Sequence, residues 1–153
     1  FQVNLMSAVR LCRLSIPALR KSFCPRIINI SSIAASNPQE IFPHYNAMKA
    51  GLSNLTVSLA QTLAEDGICV NTISPGPVWS RSWEQEAEAQ SSGSSFEEAK
   101  KNIMEQTGES IPLKRMGMPE DLTGLALFLA SEQSSWITAS NFTVDGGLTR
   151  NPY

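Results

Sequence analysis

A tyrosine and a lysine lie four residues apart in the stretch HYNAMK, residues 44–49. On a helix, residues at this spacing project from the same face, so Tyr45 and Lys49 can meet. A phenol is a poor base near neutral pH, but a neighbouring ammonium favours its ionised form by Coulomb attraction. The pair therefore suits general acid–base chemistry. On a solvated helix surface the same pair would have no function, so the rest of the chain has to decide.

A serine and a turn favour the catalytic interpretation. Ser32 follows RIINIS, residues 26–31, whose short, apolar and β-branched pattern predicts a buried parallel strand. A second buried strand is predicted over residues 68–74 and runs into the turn at Pro75. In open α/β sheets, ligands bind outside the carboxyl ends of the strands. We therefore expect Ser32, this turn and the start of the Tyr45 helix to converge.

The elements that position these residues alternate between helices and strands. Residues 2–20 are apolar around most of the circumference, which predicts a helix covered on more than one side, with Pro17 kinking or ending it. A second helix is predicted over residues 44–65, and a third begins at Pro119. Residues 141–147 predict a final strand and a glycine turn. This alternation predicts an α/β fold with a parallel sheet.

Residues 79–112 differ from the rest because they are rich in Ser, Glu and Gln. A disordered linker and a mobile lid helix are both compatible with that composition. The helix is favoured because Ser95 and Glu98 form a capping box. Glu97 is spaced to pair with Lys101 on the same face. Apolar residues follow the cap at helical spacing: Phe96, Ala99, Ile103 and Met104.

Composition and charge exclude several classes of function. The 153 residues are 42% apolar and carry a net charge of −2, which fits one globular domain or part of one. The near-neutral balance gives no electrostatic reason to expect nucleic acid or a membrane surface as a partner. Three cysteines without metal-ligand spacing predict free thiols in a reducing cytoplasm and no metal site.

The motifs, taken in order, resemble those of the classical short-chain dehydrogenase/reductase family over residues 2–148. VNLMSAVRLCRLSIPAL resembles the helix that begins with the catalytic asparagine, and IINISSIAA resembles the strand and turn with the catalytic serine. YNAMK matches the Tyr-x-x-x-Lys signature. VNTISPGPVWS resembles the strand and turn that meet the nicotinamide. RMGMPEDLTGLALFLAS and FTVDGG resemble the closing helix and strand. The resemblance implies the C-terminal part of a Rossmann-like doubly wound parallel sheet with flanking helices.

The resemblance also implies roles for four residues. Tyr45 would donate the proton in carbonyl reduction and accept it in alcohol oxidation. Lys49 would bind the nicotinamide ribose and favour the ionised form of Tyr45. Ser32 would hydrogen-bond the reacting oxygen and stabilise developing charge. Asn4 would hold a water that links Lys49 to solvent.

The nicotinamide and the substrate would be held by further residues. The resemblance implies cofactor binding by Tyr45 and Lys49 together with Pro75, Gly76, Val78 and Ser80. Substrate would contact Ser32, Tyr45, Trp79 and Trp83, although the two tryptophans could equally be the lid's own packing. The implied activity is that of an NAD(P)-dependent oxidoreductase, 3-oxoacyl reductase-like or a secondary alcohol dehydrogenase. Its implied partners are a small carbonyl or alcohol substrate and further copies in a dimer or tetramer.

One expected element has no counterpart. The family's Thr-Gly-x-x-x-Gly-x-Gly turn, which cradles the pyrophosphate, matches none of the nine glycines. We therefore expect residues 1–153 to form a partial NAD(P)-binding domain, inactive by itself, with residues 79–112 as a substrate lid. NAD and NADP are not distinguished, because the residue that reads the ribose 2′ position is missing. The alternatives are a non-catalytic remnant or interaction module, and an epimerase or lyase that uses the same Tyr and Lys.

Overall fold

A computed structural model describes residues 1–91 and 95–150. The chain divides into two compact units. The first consists of Phe1–Pro75 and Gly124–Thr143, and the second of Gly76–Thr123 and Val144–Tyr153. Among the described residues, no helix has the length and apolar character needed to span a membrane.

A three-stranded sheet forms the centre of the first unit. Strand β1, Arg26–Ile30, pairs in parallel with β2, Cys69–Pro75. Strand β3, Asn141–Val144, lies on the other side of β2, so the order is β1-β2-β3. The three predicted strands and the parallel sheet are confirmed, with shifts of one residue at the boundaries of the first two. β2 is the most buried strand, since it has a neighbour on each side.

The first predicted helix consists of two parts. It starts as a π-helical turn, Gln2–Met6, and continues as α1, Ser7–Leu19. Pro17 lies inside α1, which continues for two residues beyond it to Leu19. Proline removes the hydrogen bond to the carbonyl four residues earlier, so it disturbs the turn before it and not the residues after it. Pro17 therefore does not end the helix, and the kink stays a prediction.

Helix α2, Pro43–Leu63, packs against the sheet and carries the predicted Tyr45 and Lys49. Proline suits its first turn, where the amide has no partner within the helix. Ala60 and Leu63 form a buried cluster with Ile68 and Val70. This cluster is covered by partly buried apolar residues from α1, β1, α2 itself and the segment before β3: Ile16, Leu19, Ile27, Leu59 and Ala139.

The second unit contains two helices built around one apolar cluster. These are α3, Arg81–Gln90, and α4, Phe96–Glu109. The Ser95 hydroxyl accepts the Glu98 amide at 3.2 Å, as the predicted cap requires. The cluster joins these helices to the segments on either side: Trp79, Ala87, Ala99, Ile103 and Met116, with Trp83, Phe96, Met104 and Met118 packed against it.

Two expectations about the lid are corrected. The sequence predicted one helix, whereas the structure has two. The prediction missed α3 because this helix is so rich in glutamate and glutamine that its few apolar residues do not form a periodic stripe. Lys101 pairs with Glu105 at 3.8 Å and not with Glu97. Exposed pairs of this kind contribute only about 0.3–0.5 kcal/mol, so the choice between them is nearly balanced. Glu97 lies in the first turn, where the helix dipole already stabilises its charge.

The remaining helix, α5, Glu120–Ala130, begins with acidic residues as predicted. Asp121 accepts two hydrogen bonds from Arg115, at 2.6 and 2.7 Å, and one from the Met118 amide at 2.8 Å. The hydrogen bond from Arg115 is the main reason that the pKa of Asp121 is far below its usual range. The Asp121 carboxylate therefore fixes the start of α5 to the loop that precedes it.

Candidate active site

The carboxyl end of β1 is tied to α2 by Ser31, directly before the predicted catalytic serine. The Ser31 amide donates to the Ile73 carbonyl at 2.8 Å and so continues the β1–β2 ladder. Its hydroxyl donates to the Lys49 carbonyl at 3.0 Å and lies 2.9 Å from the Ser53 hydroxyl. Sequence reasoning missed this residue, which looks like part of the strand and yet fixes the Lys49 turn of α2 to the end of β1.

Ser32 follows in an extended conformation and is half-buried. Its Oγ accepts the Ala34 amide at 3.1 Å and caps a short 3₁₀ turn, Ile33–Ala35. In this hydrogen bond the Ser32 oxygen only accepts, so its hydroxyl proton remains available for another acceptor. The structure thus places Ser32 just beyond the carboxyl end of a parallel strand, as predicted.

Tyr45 and Lys49 share one face of α2. The Lys49 Nζ lies 5.6 Å from the centre of the Tyr45 ring, and both side chains are half-buried. The Lys49 ammonium also donates to the Ile30 carbonyl at 2.8 Å. Burial lowers the pKa of Lys49, because removing the ammonium from water disfavours its charged form. The arrangement places a cation beside a phenol at the end of β1.

The turn that leads into Tyr45 is held by a buried amide. Phe42 has a φ of 62°, a left-handed conformation that costs a residue with a side chain about 1–2 kcal/mol. The Asn46 Nδ2 donates to the Gln39 carbonyl at 2.7 Å and fastens this connection to the first turn of α2. The Tyr45 amide in turn donates to the Phe42 carbonyl at 2.9 Å. Sequence reasoning missed Asn46, because a lone asparagine beside a tyrosine carries no recognisable signal.

Asn4 lies in the π-helical turn and lines the same groove as Lys49. The groove has a volume of about 460 Å³ and runs between α1, the edge of β1 and α2. A Cβ on Gly51 would lie 3.4 Å from the Leu5 Cδ2, so the π-helical turn packs directly on α2. Single π-helical turns are frequent at functional sites. The structure therefore brings Asn4, Lys49 and the Ile30 carbonyl to one groove.

The predicted nicotinamide turn begins where β2 ends at Pro75. Gly76 approaches Asp145 so closely that a Cβ would lie 2.7 Å from the Asp145 Cβ, which only glycine tolerates. Val78 forms a bridge with Gly117. Ser80 is exposed, and its hydroxyl lies 3.1 Å from that of Ser82 at the start of α3.

The two predicted substrate tryptophans both belong to the lid cluster. Trp79 is only 7% exposed, and Trp83 packs against the cluster that contains it. The Lys100 ammonium lies 5.3 Å from the centre of a Trp79 ring, in cation–π range. Of the two interpretations left open by the sequence, packing of the lid itself is the one that these contacts favour for Trp79. Its contact with substrate stays a prediction.

Comparisons with known proteins place the chain in a family. The family model described as enoyl-(acyl carrier protein) reductase matches residues 1–149. The acetoacetyl-CoA reductase of Cupriavidus necator is 30% identical over 145 residues, which are 95% of this chain and 54% of that protein. The L-fucose dehydrogenase of Mus musculus is 37% identical over 146 residues, which are 95% of this chain and 50% of that protein.

A solved structure gives the same result. The L-sorbose reductase of Gluconobacter frateurii, in complex with NADPH and L-sorbose, superimposes with a TM-score of 0.88 at 31% identity. The match covers 98% of this chain and 57% of that one. The chain belongs to the short-chain dehydrogenase/reductase family, whose members use NAD or NADP. It spans about half the length of the curated relatives that it matches.

Proposed function

We propose that this chain carries the proton-transfer site of an NAD(P)-dependent oxidoreductase that interconverts a carbonyl and a hydroxyl. The observation that supports this most directly is the Lys49 ammonium beside the Tyr45 ring, at the carboxyl end of a parallel strand. Family membership supports the same chemistry, because the relatives include dehydrogenases and reductases of hydroxyl compounds.

The roles of the four residues follow from their chemistry. Tyr45 gives its proton to the carbonyl oxygen in reduction and takes one from the hydroxyl in oxidation. Lys49 places a positive charge 5.6 Å from the centre of the Tyr45 ring and, as an ammonium, binds the nicotinamide ribose. Ser32 donates a hydrogen bond from its hydroxyl to the reacting oxygen and stabilises the negative charge that develops there. Asn4, which lines the groove of Lys49, holds the water through which the site exchanges protons with solvent.

The described residues fit only one end of a dinucleotide. The Lys49 ammonium and the groove of Asn4 can receive a ribose, and the turn of Pro75, Gly76, Val78 and Ser80 can receive the nicotinamide amide. NAD or NADP supplies the hydride when bound. No glycine in the chain has the spacing of a pyrophosphate turn, so the other end would require residues beyond these. We infer that residues 1–153 are a partial NAD(P)-binding domain with residues 79–112 as its substrate lid, and inactive by itself.

Two further features support proposals about the oligomeric state and the cellular compartment of the protein. Leu11 and Leu14 on α1 are 67% and 76% exposed, which supports a homo-oligomer in which another copy covers them. Cys12, Cys24 and Cys69 are all free thiols, which supports a reducing compartment such as the cytoplasm.

The test compares the 153-residue chain with a chimera completed by the half of the mouse L-fucose dehydrogenase that it does not match. We expect the chain alone to be inactive and the chimera to oxidise or reduce a substrate, followed by NAD(P)H absorbance. Replacing Tyr45→Phe should lower kcat by about 10²–10⁴-fold, the usual contribution of a general acid–base group. The Kd for NADPH should change by less than about twofold, because the phenol hydroxyl acts on substrate.

Matched lysine variants separate the site from general effects of charge. Lys49→Met should lower kcat and weaken NADPH binding, whereas Lys21→Met, an exposed lysine of the same unit, should change neither. Undiminished turnover by the Tyr45→Phe chimera would overturn the proposed chemistry. A folded chimera that binds NADPH and turns over no substrate would instead favour the non-catalytic alternative.

A further inference from the structure

Ser31 lies where three elements of the first unit meet. Its amide continues the ladder between β1 and β2 by donating to the Ile73 carbonyl at 2.8 Å. Its hydroxyl donates to the Lys49 carbonyl on α2 at 3.0 Å. The side chain is only 4% exposed, so these contacts face little competition from water. One buried residue therefore connects both parallel strands to the helix that carries Tyr45 and Lys49.

The directions of the hydrogen bonds at Ser31 follow from its single proton. A carbonyl only accepts, so the Ser31 hydroxyl donates that proton to the Lys49 carbonyl. The Ser53 hydroxyl, 2.9 Å from that of Ser31, is therefore the donor in the serine pair. Lys49 and Ser53 are four residues apart, which is about one turn of α2. Ser31 thus contacts both ends of this turn, and two hydrogen bonds in series strengthen each other.

The Lys49 side chain is bound to the residue directly before Ser31. The Ser31 amide points toward β2, and successive residues of a parallel strand direct their amide and carbonyl groups to opposite edges. The Ile30 carbonyl therefore points away from β2, and the Lys49 Nζ donates to it there at 2.8 Å. Lys49 is thus attached to two consecutive residues, by its ammonium to Ile30 and by its backbone to Ser31.

We propose that Ser31 is a positioning residue of this site, whose hydroxyl fixes the Lys49 turn of α2 so that the ammonium reaches the carboxyl end of β1. This inference rests on the proposed function, in which Lys49 binds the nicotinamide ribose. The ammonium sits on a flexible stem of four carbons, so its direction depends on where the backbone of Lys49 is fixed. Without the Ser31 hydroxyl this turn can move relative to β1, and the ammonium exchanges the Ile30 carbonyl for water.

Helix α2 does not itself need the Ser31 hydroxyl. A serine or threonine in a helix can donate to the carbonyl four residues earlier, as Thr62 does to Ser58 at 2.8 Å. In a Ser31→Ala variant the Ser53 hydroxyl can donate to the Lys49 carbonyl in the same way. We therefore expect this variant to stay folded and to lose only the link between α2 and β1, which separates positioning from support of the fold.

The first test uses the 153-residue chain and needs no activity. The Lys49 ammonium is followed by NMR with isotope-labelled lysine, and its signal is assigned by its absence in Lys49→Met. Burial lowers the pKa of Lys49, so Ser31→Ala should raise this pKa back toward its usual value as the ammonium enters water. Ser58→Ala, which removes an exposed hydroxyl of the same helix, should leave the pKa of Lys49 unchanged.

The second test asks whether Ser31 acts through Lys49. In the chimera, Ser31→Ala should weaken NADPH binding and lower kcat, each by about tenfold, since a misplacement of about 1 Å can cost up to about 10²-fold. In a Lys49→Met background the same replacement should change both quantities by less than about twofold, because no ammonium is left to direct. Ser58→Ala should change neither quantity in either background. Equal losses in both backgrounds would overturn the inference, because a residue that only supports the fold acts independently of the Lys49 ammonium.

The outcomes separate this inference from the function on which it rests. A folded Ser31→Ala chain with an unchanged pKa of Lys49 would overturn the inference and leave the proposed oxidoreductase intact. A Ser31→Ala chain that loses its folded circular dichroism would also overturn it, because Ser31 would then support the fold and not direct Lys49. Absence of turnover by the chimera, with no effect of Tyr45→Phe, would instead count against the proposed function, while the pKa of Lys49 in the 153-residue chain would still decide the role of Ser31.

Discussion

The Thr56 hydroxyl joins α2 to both parallel strands, and its removal should destabilise the first unit more than its size suggests. Thr56 is 1% exposed. Its Oγ1 accepts from the Asn29 Nδ2 at 2.8 Å and from the Thr72 hydroxyl at 2.8 Å, and it donates to the Leu52 carbonyl at 3.1 Å. A hydroxyl has one proton and two lone pairs, so its capacity is fully used.

Replacing Thr56→Val keeps the shape of the side chain and removes all three contacts. The Asn29 amide and the Thr72 hydroxyl are then buried without the acceptor that they use. Each buried donor left without a partner costs about 1–3 kcal/mol, so for two donors we expect a loss of about 2–6 kcal/mol in the free energy of unfolding. That is a large share of the 5–15 kcal/mol, roughly, that stabilises an ordinary domain.

Two threonines of the same chain provide the comparison. Thr72→Val removes a donor and leaves no buried donor behind, so it should cost only about 0.5–1.5 kcal/mol. Thr62 lies on α2 and donates to a carbonyl four residues earlier, at 2.8 Å, as Thr56 does, but it is exposed. Thr62→Val should therefore change stability by less than about 0.5 kcal/mol.

The measurement is urea unfolding of the 153-residue chain, followed by circular dichroism and analysed by linear extrapolation. The expected order of destabilisation is Thr56→Val, then Thr72→Val, then Thr62→Val. A Thr56→Val variant as stable as Thr62→Val would refute the reasoning, because burial would then not distinguish the two hydroxyls. A larger loss for Thr72→Val than for Thr56→Val would show that Thr56 is not the central residue of this hydrogen-bond network.

Three further predictions concern glycines and titrating groups. Gly124→Ala should stabilise the chain by about 0.5–1 kcal/mol in urea unfolding, since its Cβ would meet nothing within 4 Å on α5, whereas Gly76→Ala should destabilise it by about 1–3 kcal/mol through its clash with Asp145. Burial lowers the pKa of Lys49 in the folded chain, so just below pH 10.5 the unfolded chain binds more protons than the folded one. The free energy of unfolding should therefore rise with pH in this window, and Lys49→Met should flatten that rise. Burial raises the pKa of Asp145, but the hydrogen bonds to its carboxylate outweigh burial, so the pKa in the folded chain is lowered. The stability that this contributes should be present above pH 3.8 and lost as the pH falls through the lowered pKa of Asp145. Asp145→Asn should remove this acid dependence. Stability independent of pH in both windows would show that neither group is perturbed by folding.

The candidate site residues Tyr45, Lys49 and Ser32 could be predicted from short stretches of sequence. Tyr45 and Lys49 meet because helix geometry alone places residues four apart on one face. Ser32 lies beyond a strand because RIINIS can form little else, being short, β-branched and apolar. The parallel sheet followed from the alternation of helices and strands, since parallel neighbours need a long crossover between them. These features depend on spacing within about 20 residues, which the sequence displays directly.

The lid was predicted less well because its pattern is weak. The cap at Ser95 is a local signal and α4 was found, whereas α3 has few apolar residues and was missed. The partner of Lys101 could not be predicted either, because glutamates before and after it are equally spaced and the exposed pair contributes little to stability. Burial of Trp79 depends on Met116 and Ile103, which are distant in sequence.

Long-range contacts account for what only the tertiary structure decided. The sequence by itself determined the strands and the placement of Tyr45 and Lys49 on one face of a helix, because each depends on residue type and short spacing. The structure decided that Ser31 fixes the Lys49 turn to the end of β1, that Lys49 donates to the Ile30 carbonyl, and that Thr56 joins Asn29 to Thr72. Such contacts form only after the hydrophobic core has brought distant segments together, and a hydroxyl or an amide has many possible partners until then.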